Sequence, residues 1–419
     1  MPPFTVLHTA DWHLGVRLRD LERIEEHAAF LKWLIAAAES ENADLLVIAG
    51  DIFDSANPPQ SALKMWYDFL ASLRQRCPQC AVVAVAGNHD SPHVLEAARA
   101  PLAGLGVRII GEMPDEAAHC LHVFPDKDGN PALAVAAVPF LRDRDLRRGG
   151  DESTVSDIES QLREGIRARY ATVAEAVLAL KARGLATLAT GHLTVAGAEK
   201  SESERDIHVG NLGAVRAEVL GTAFDYIALG HLHRPQRAGG EHIRYSGSPV
   251  PLSFSEWRDT KSIRVLTFEN GALTASRSMP VPCTRPLVRV SLTGELLEEE
   301  LTALTIPDSP LPAWLEVTVA ATSEPAVRLA ERIHNAIAGR NAEAVAIRRS
   351  GGESANAAPG AASIHDLVPV AVFDEVLKAA TIPDSDCEPL RLTFQQLLER
   401  HQEDFSPRPG LEAGSGMRR

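Results

Sequence analysis

Short apolar runs alternate with longer amphipathic stretches along the first part of the chain. Residues 45–49 and 82–86 are uninterrupted apolar runs of strand length, and a glycine follows each of them. Runs of this kind are typical of parallel strands that are buried on both faces. Helical periodicity is found near residues 21–39, 60–76 and 158–183. The alternation predicts an α/β core.

The pattern changes towards the end of this core. Residues 226–245 and 263–279 contain short alternating segments with turn sequences at Gly239-Gly240 and Asn270-Gly271, which predict antiparallel hairpins. Three prolines then interrupt the chain in close succession: Pro280, Pro282 and Pro286. We therefore predict that a first domain spans residues 1–282.

The remainder of the chain predicts smaller pieces. Residues 283–350 alternate between strand and helix patterns and predict a small α+β module that acts as a cap. Residues 351–366 have the composition of a flexible linker. Residues 367–405 contain two amphipathic helices that are too small to form a core, so we expect them to bind a surface of this chain or of a partner. Residues 406–419 predict a disordered tail.

Composition narrows the class of protein. The 419 residues are 45% hydrophobic, which fits a multidomain globular chain, and neither a membrane span nor a secretion signal is found, so we expect a cytoplasmic protein. Five scattered cysteines argue against a disulfide framework, and the pair Cys77 and Cys80 fits an ordinary turn. The net charge of -14 excludes a generally basic DNA-binding surface. It leaves room for a local groove in which bound cations add positive charge.

Polar side chains that could bind metal ions follow five of the predicted strands. Open α/β sheets bind ligands beyond the carboxyl ends of their strands, where loops distant in sequence meet. The candidate ligands combine carboxylate, amide and imidazole groups: Asp11, His13, Asp51, Asn88, His192, His231 and His233. Seven ligands are too many for one structural zinc ion, but they suit two divalent ions that share a bridging carboxylate.

The donor types and their neighbours indicate a reaction class. Mixed oxygen and imidazole donors favour manganese, iron or zinc over calcium and magnesium, and two such ions can catalyse phosphate ester hydrolysis. His89 directly follows the ligand Asn88, and we expect it to act as the catalytic acid. Asp90 would either orient the imidazole of His89 or cap a helix. Asp54 would either support a metal ligand from behind or cap a helix.

These motifs resemble those of the calcineurin-like metallophosphoesterases and, among them, the nuclease subunits of bacterial SbcCD complexes. The likeness includes flanking stretches at residues 8–15, 49–54, 189–194, 205–210, 225–234 and 244–254. The resemblance implies a four-layer αββα sandwich with a capping domain and C-terminal helices. It implies that the seven candidate ligands hold the metal ions and that His89 is the catalytic histidine.

The same resemblance implies an activity and partners. It implies a manganese-dependent nuclease that acts on double-stranded DNA ends as a 3′–5′ exonuclease and on single strands and hairpins as an endonuclease. These reactions would serve DNA recombination, replication and repair at the nucleoid. The partner would be an SMC-like ATPase of the SbcC type, bound through residues 367–405, in a heterotetramer that contains a homodimer of nuclease subunits.

Two alternatives remain open at this point. The same metal ligands would serve a phosphomonoesterase or a cyclic-nucleotide phosphodiesterase, although a small-molecule phosphatase has no evident use for a cap and tethered helices. A non-catalytic scaffold on the same fold is the second alternative. The complete ligand set argues against it, because a scaffold would be expected to carry substitutions at Asp51, Asn88 or His192.

Overall fold

The computed structural model describes residues 3–146, 155–201, 203–204, 214–320 and 324–350, and a few positions between residues 373 and 397. The predicted linker at 351–366, the predicted tail at 406–419 and the stretch at 205–210 lie outside the described residues, as does most of the predicted helical segment at 367–405. The chain divides into two compact units, Met1–Ala355 and Asn356–Arg419. In the second unit the rings of Phe373 and Phe394 stack, with centroids 4.1 Å apart.

The strands of the described residues follow one another along the first unit. In chain order they are β1 (Phe4–Thr9), β2 (Arg17–Leu18), β3 (Leu21–Glu22), β4 (Leu45–Ala49), β5 (Ala81–Val85), β6 (Val107–Ile110), β7 (Leu121–Pro125), β8 (Pro131–Ala136), β9 (Ala186–His192), β10 (Tyr226–Gly230), β11 (Gln236–Ala238), β12 (Gly240–Tyr245), β13 (Ser262–Glu269), β14 (Ala272–Pro280), β15 (Leu287–Thr293), β16 (Ala313–Ala320) and β17 (Ala342–Ser350).

Helices separate many of these strands. The α-helices are α1 (Ile24–Ser40), α2 (Gln60–Arg76), α3 (Pro92–Glu96), α4 (Arg99–Gly104), α5 (Asp143–Leu146), α6 (Val155–Lys181), α7 (Leu297–Ala303) and α8 (Ala326–Ile337). Short 3-10 helices lie at Ala117–Cys120, Ala217–Leu220 and Phe254–Glu256. Among the described residues, no helix combines the length and the apolar composition needed to cross a membrane.

Two six-stranded sheets form the centre of the described fold. The first has the order β14-β13-β1-β4-β5-β6, and the second has the order β11-β12-β10-β9-β8-β7. In each sheet four strands run parallel: β1, β4, β5 and β6 in the first, and β12, β10, β9 and β8 in the second. Antiparallel strands complete both sheets, including the predicted hairpin of β13 and β14.

The apolar runs are continuous because both faces of these strands are covered. In β4, Leu45 and Val47 point into the core between the two sheets, whereas Leu46 and Ile48 belong to the core beneath α1 and α2. On the far side of the second sheet, α6 buries an apolar stripe at helical spacing: Leu162, Ile166, Tyr170, Val173 and Val177. Helix, sheet, sheet and helix thus form the four layers that the resemblance implied.

Two predicted elements differ in detail from the structure. The helix predicted at residues 21–39 begins at Ile24, because Leu21 and Glu22 pair with Arg17 and Leu18 in a small hairpin. The module after residue 283 is more regular than the predicted α+β arrangement. Its strands β15, β16 and β17 are all parallel and alternate with α7 and α8 around a separate apolar core.

The predicted turn at Cys77 and Cys80 is present between α2 and β5. Both cysteines are free and buried, and burial raises the pKa of the Cys80 thiol to about 12. A thiol with such a pKa is a poor nucleophile at neutral pH, so the pair does not have the character of a redox site.

Candidate metal centre

The parallel strands deliver all seven candidate ligands to one place. Asp11 and His13 follow β1, Asp51 follows β4, Asn88 follows β5, His192 ends β9, and His231 and His233 follow β10. Asp11, His13 and His233 form one group in which a potential ligand atom of each residue lies within 4.8 Å of the others. Asp11, Asp51 and His192 form a second such group.

Asp51 lies between the two groups. Its Oδ2 is 3.5 Å from Nε2 of His13 on one side and 3.3 Å from Nε2 of His192 on the other. The amide Oδ1 of Asn88 lies 2.9 Å from the same nitrogen of His192, and the ring of His231 packs edge-on against that imidazole, with centroids 5.4 Å apart. The arrangement therefore has two halves with a shared carboxylate.

The backbone bends sharply where it presents these side chains. Asp11, His13, Asp51 and His231 have positive φ angles of 55, 47, 50 and 94°. Non-glycine residues adopt this region at a cost of about 1 to 3 kcal/mol, and such strain concentrates at functional sites. Gly50 also has a positive φ, and a Cβ at that position would come within 2.2 Å of Nδ1 of His192. The loops are thus fitted closely to one another.

Outer hydrogen bonds fix which ring nitrogen faces the centre. Nδ1 of His13 donates to the carboxylate of Asp54 at 3.2 Å, and Nδ1 of His192 donates to the carbonyl of Ala49 at 2.9 Å. Carboxylate and carbonyl oxygens can only accept, so each Nδ1 carries the proton. Each Nε2 is then a lone-pair donor available to a metal ion.

The carboxylates are held in a similar way. Oδ1 of Asp11 accepts the backbone N–H of His231 at 2.8 Å, and Oδ1 of Asp51 accepts the backbone N–H of His89 at 2.8 Å. Three buried atoms in the centre have no hydrogen-bond partner among the described residues: Asp11 Oδ2, His13 Nε2 and His231 Nε2. Unsatisfied buried acceptors cost about 1 to 3 kcal/mol each. Divalent cations would satisfy all three, so the donor set fits a two-metal site.

The electrostatics of the centre also favour a cation. Burial raises the pKa of Asp11 to about 6. Burial also opposes ionisation of Asp51, but neighbouring histidines, with His192 foremost, outweigh it and hold the pKa of Asp51 well below its usual range. His192 has its pKa raised to about 9, because the attraction of Asp51 exceeds the effect of burial. Burial lowers the pKa of His231 well below its ordinary value, so this imidazole is neutral and able to ligate.

His89 and Asp54 lie at the edge of the centre. The ring of His89 packs edge-on against His13, with centroids 4.6 Å apart, and its Nδ1 donates to the backbone carbonyl of Asp54 at 2.7 Å. Asp54 therefore supports two imidazoles, one through its carboxylate and one through its carbonyl. This matches the predicted supporting position of Asp54.

Asp90 has a different environment from the one that the sequence predicts. Its carboxylate accepts the backbone N–H groups of Gly87, Ile52 and Phe53 at 2.9, 3.1 and 2.9 Å. These bonds tie the loop after β5 to the loop after β4, and the helix cap predicted as the alternative is Ser91. The carbonyl of Asp54, rather than the carboxylate of Asp90, orients the imidazole of His89.

A buried charged cluster behind His233 has no counterpart among the predictions. Glu256 and Lys261 form an ion pair, with Nζ 2.5 Å from Oε2, and Ser203 lies between Glu256 and His233. Burial opposes ionisation of Glu256, but Lys261 and His233 hold its pKa well below the usual range. No sequence signal marks these residues, because Glu256 follows the last strand of the centre and belongs to none of the ligand motifs.

Comparisons with protein families agree with the geometry. A family model described as calcineurin-like phosphoesterase matches residues 4–235, and one described as Type 5 capsule protein repressor C-terminal domain matches residues 283–381. Among solved structures, a dimetal phosphatase from Danio rerio aligns with a TM-score of 0.39 and 13% identity, covering 67% of this chain and 99% of that chain.

Similar sequences carry a single name, that of the SbcD subunit of the nuclease SbcCD. The protein of this name from Escherichia coli K12 is 37% identical over 326 residues, which cover 75% of this chain and 77% of the relative. The proteins of the same name from Rhodobacter capsulatus and Bacillus subtilis are 38% and 34% identical. These two alignments cover 73% and 70% of this chain, and 77% and 73% of the relatives.

Proposed function

The chain belongs to the calcineurin-like phosphoesterases and, within them, to the SbcD family of nuclease subunits, and on that premise we propose that it is the metal-dependent nuclease subunit of an SbcCD-type complex. The reaction is hydrolysis of a DNA phosphodiester. The observation that carries the proposal is the convergence of seven side chains from five strand ends on one buried centre with unsatisfied donor atoms.

In this proposal the seven residues hold two ions in two halves. Asp11, His13 and His233 form one half, Asn88, His192 and His231 form the other, and Asp51 is shared. The mixture of carboxylate, amide and neutral imidazole supports manganese as the native ion, because magnesium and calcium prefer all-oxygen sites. When bound, the two ions would lower the pKa of a shared water and neutralise charge on the phosphate.

The protein groups supply orientation and a proton. The hydrogen bond from Nδ1 of His89 to the carbonyl of Asp54 fixes the ring, so the proton that His89 gives to the leaving oxygen comes from Nε2. The outer hydrogen bonds of His13 and His192 keep their lone pairs directed at the centre. Because these groups are held before substrate binds, little reorganisation is needed during the reaction.

We propose the same division of labour along the chain as the resemblance implied. Residues 1–282 would form the nuclease domain, 283–350 the capping domain, 351–366 a linker and 367–405 the segment that binds an SbcC-type ATPase. The separate apolar core of the cap and the stacked rings of Phe373 and Phe394 support this division. The active assembly would be a heterotetramer with two nuclease subunits, acting in the cytoplasm at the nucleoid.

The proposed substrates are double-stranded ends, degraded with 3′–5′ polarity, and single strands and hairpins, cut as an endonuclease. The phosphomonoesterase and cyclic-nucleotide phosphodiesterase alternatives are not favoured, because the relatives that share most of the chain are named nucleases. The scaffold alternative is not favoured either, because every candidate ligand is present and directed into the centre.

The test is manganese-dependent cleavage of an end-labelled DNA hairpin beside a chromogenic phosphomonoester, with and without the ATPase. We expect His89→Ala to lower cleavage about 10²- to 10⁴-fold while Mn²⁺ binding persists, and Asp51→Ala to lose both. His93→Ala is the matched control, because that histidine is exposed and only four positions further on. Turnover of the small ester alone, or cleavage by His89→Ala at the wild-type rate, would contradict the proposal.

A further inference from the structure

A fully buried ion pair lies directly behind His233. The side chains of Glu256 and Lys261 are only 0% and 5% exposed. Nζ of Lys261 donates to Glu256 at 2.5 Å, to the carbonyl of His233 at 3.0 Å and to the hydroxyl of Ser248 at 3.0 Å. Removing two charges from water costs several kcal/mol for each ion, and apolar residues of the same size often stabilise a fold as well or better. The pair therefore calls for an explanation other than stability.

The hydrogen bonds around Glu256 can run in one direction only. A carboxylate paired with Lys261 has no proton to give, so it accepts the single hydroxyl hydrogen of Ser203. The oxygen of Ser203 must then accept from Nδ1 of His233, which lies 2.7 Å away. The proton of the His233 imidazole is thus fixed on Nδ1, and Nε2 keeps its lone pair.

This arrangement completes a pattern in the centre. His13 is fixed by the carboxylate of Asp54, and His192 is fixed by the carbonyl of Ala49. His233 lies in the group with Asp11 and His13, and its ring packs edge-on against His13, with centroids 5.1 Å apart. Among these three histidines, His233 is the one whose outer partner is a hydroxyl. A hydroxyl can donate or accept, so it fixes the tautomer only if another group takes its hydrogen.

We propose that Glu256, acting through Ser203 and paired with Lys261, is the positioning residue that holds His233 in the tautomer and orientation needed to bind a metal ion. The inference rests on the proposed function, because it takes His233 as a ligand. Partners of this kind behind a ligating histidine typically contribute about 10- to 100-fold to metal affinity. Glu256 does not touch the substrate, so its effect on cleavage would follow from its effect on the metal.

Four variants of the full-length protein separate positioning from structure. Ser203→Ala cuts the relay and leaves the ion pair intact. Glu256→Gln removes the charge but leaves Lys261 buried without its partner, and Glu256→Gln/Lys261→Met removes both charges together. Ser253→Ala is the matched control, because its hydroxyl lies 3.5 Å from the same carboxylate and, among the described residues, bonds only Ser255 and Glu256.

Each variant is stripped with EDTA and titrated with Mn²⁺ by calorimetry, and its thermal unfolding is recorded in EDTA. We expect about 10- to 100-fold weaker Mn²⁺ binding at one of the two sites for Ser203→Ala and for the double variant, with wild-type binding for Ser253→Ala. The double variant should unfold at a higher temperature in EDTA than Glu256→Gln, because the uncompensated ammonium has been removed.

Wild-type Mn²⁺ affinity in both Ser203→Ala and the double variant would overturn the proposal, since the cluster would then affect folding alone. Failure of the wild-type protein to bind Mn²⁺ would overturn the proposed function itself. The two failures are distinguishable, because the first appears only in the variants and the second appears in the parent protein.

Discussion

Gly87→Ala gives a stringent test of the close fit between the loops of the centre. Gly87 precedes the ligand Asn88 and does not have a positive φ, so the backbone itself would accept alanine. A Cβ at this position would nevertheless lie 2.1 Å from Oδ1 and 2.3 Å from the backbone nitrogen of Asp51. The substitution thus adds one methyl group against the carboxylate that the two halves of the centre share.

The size of the displacement follows from these distances. Real Cβ atoms essentially never approach another heavy atom within 3.0 Å, so the loops must separate by roughly 0.9 Å. Asp51 has little freedom to move, because its Oδ1 accepts from the backbone of His89 and its Oδ2 lies between His13 and His192. A misplacement of about 1 Å can reduce a rate about 10²-fold, and overpacking costs about 1 to 3 kcal/mol of stability.

We therefore expect Gly87→Ala to fold and to cleave the DNA hairpin about 10²-fold more slowly, with weaker Mn²⁺ binding. The control is Gly104→Ala at the end of α4, where no atom lies within 4 Å of the added Cβ. That variant should keep full activity and gain up to about 1 kcal/mol, because alanine is the better helix former. Calorimetry, denaturant unfolding and the hairpin assay measure these quantities. Wild-type Mn²⁺ affinity and cleavage in Gly87→Ala would refute the reasoning.

Three further predictions concern the supports of the centre. Asp54→Ala removes the carboxylate behind His13 but keeps the carbonyl that orients His89, so Mn²⁺ affinity measured by calorimetry should fall about 10- to 100-fold while the remaining cleavage still depends on His89; an unchanged affinity would contradict this. Burial lowers the pKa of His27 to about 4, below the unfolded value of about 6.5, so the unfolded chain binds more protons and stability falls as pH drops from 6.5 to 4, by up to about 3 kcal/mol. His27→Gln should lose less stability over that range in urea unfolding, and parallel curves would refute the assignment. Removing Mn²⁺ supplied at 100 times its Kd should lower the unfolding free energy of the wild type by about 2.7 kcal/mol and leave Asp51→Ala unchanged in a thermal-shift assay, whereas equal losses would argue against binding at this centre.

Much of the fold is predictable because burial on two faces leaves a plain signal. The continuous apolar runs at β4 and β5 mark strands with cores on both sides, and α2 spans the residues predicted for it, Gln60–Arg76. The polar groups directly after such strands fall at the same edge of the fold. Local pattern therefore suffices to bring the seven ligand positions together.

Other features depend on contacts between segments far apart in sequence, so no local pattern reveals them. Asp90 accepts backbone N–H groups of the loop after β4, because the loops close on each other in the folded chain. Glu256 and Lys261 resemble ordinary surface charges in sequence, yet the fold buries them behind His233. The start of α1 at Ile24 is likewise set by strand pairing rather than by helical periodicity.

The most direct test of the central claim is anomalous diffraction near the manganese edge from crystals of the full-length protein soaked in Mn²⁺. The proposed centre predicts two peaks roughly 3.5–4 Å apart. One peak would lie among Asp11, His13 and His233, the other would lie by His192, and Asp51 would lie between them. A single peak, or peaks elsewhere on the protein, would contradict the two-metal centre on which the nuclease assignment rests.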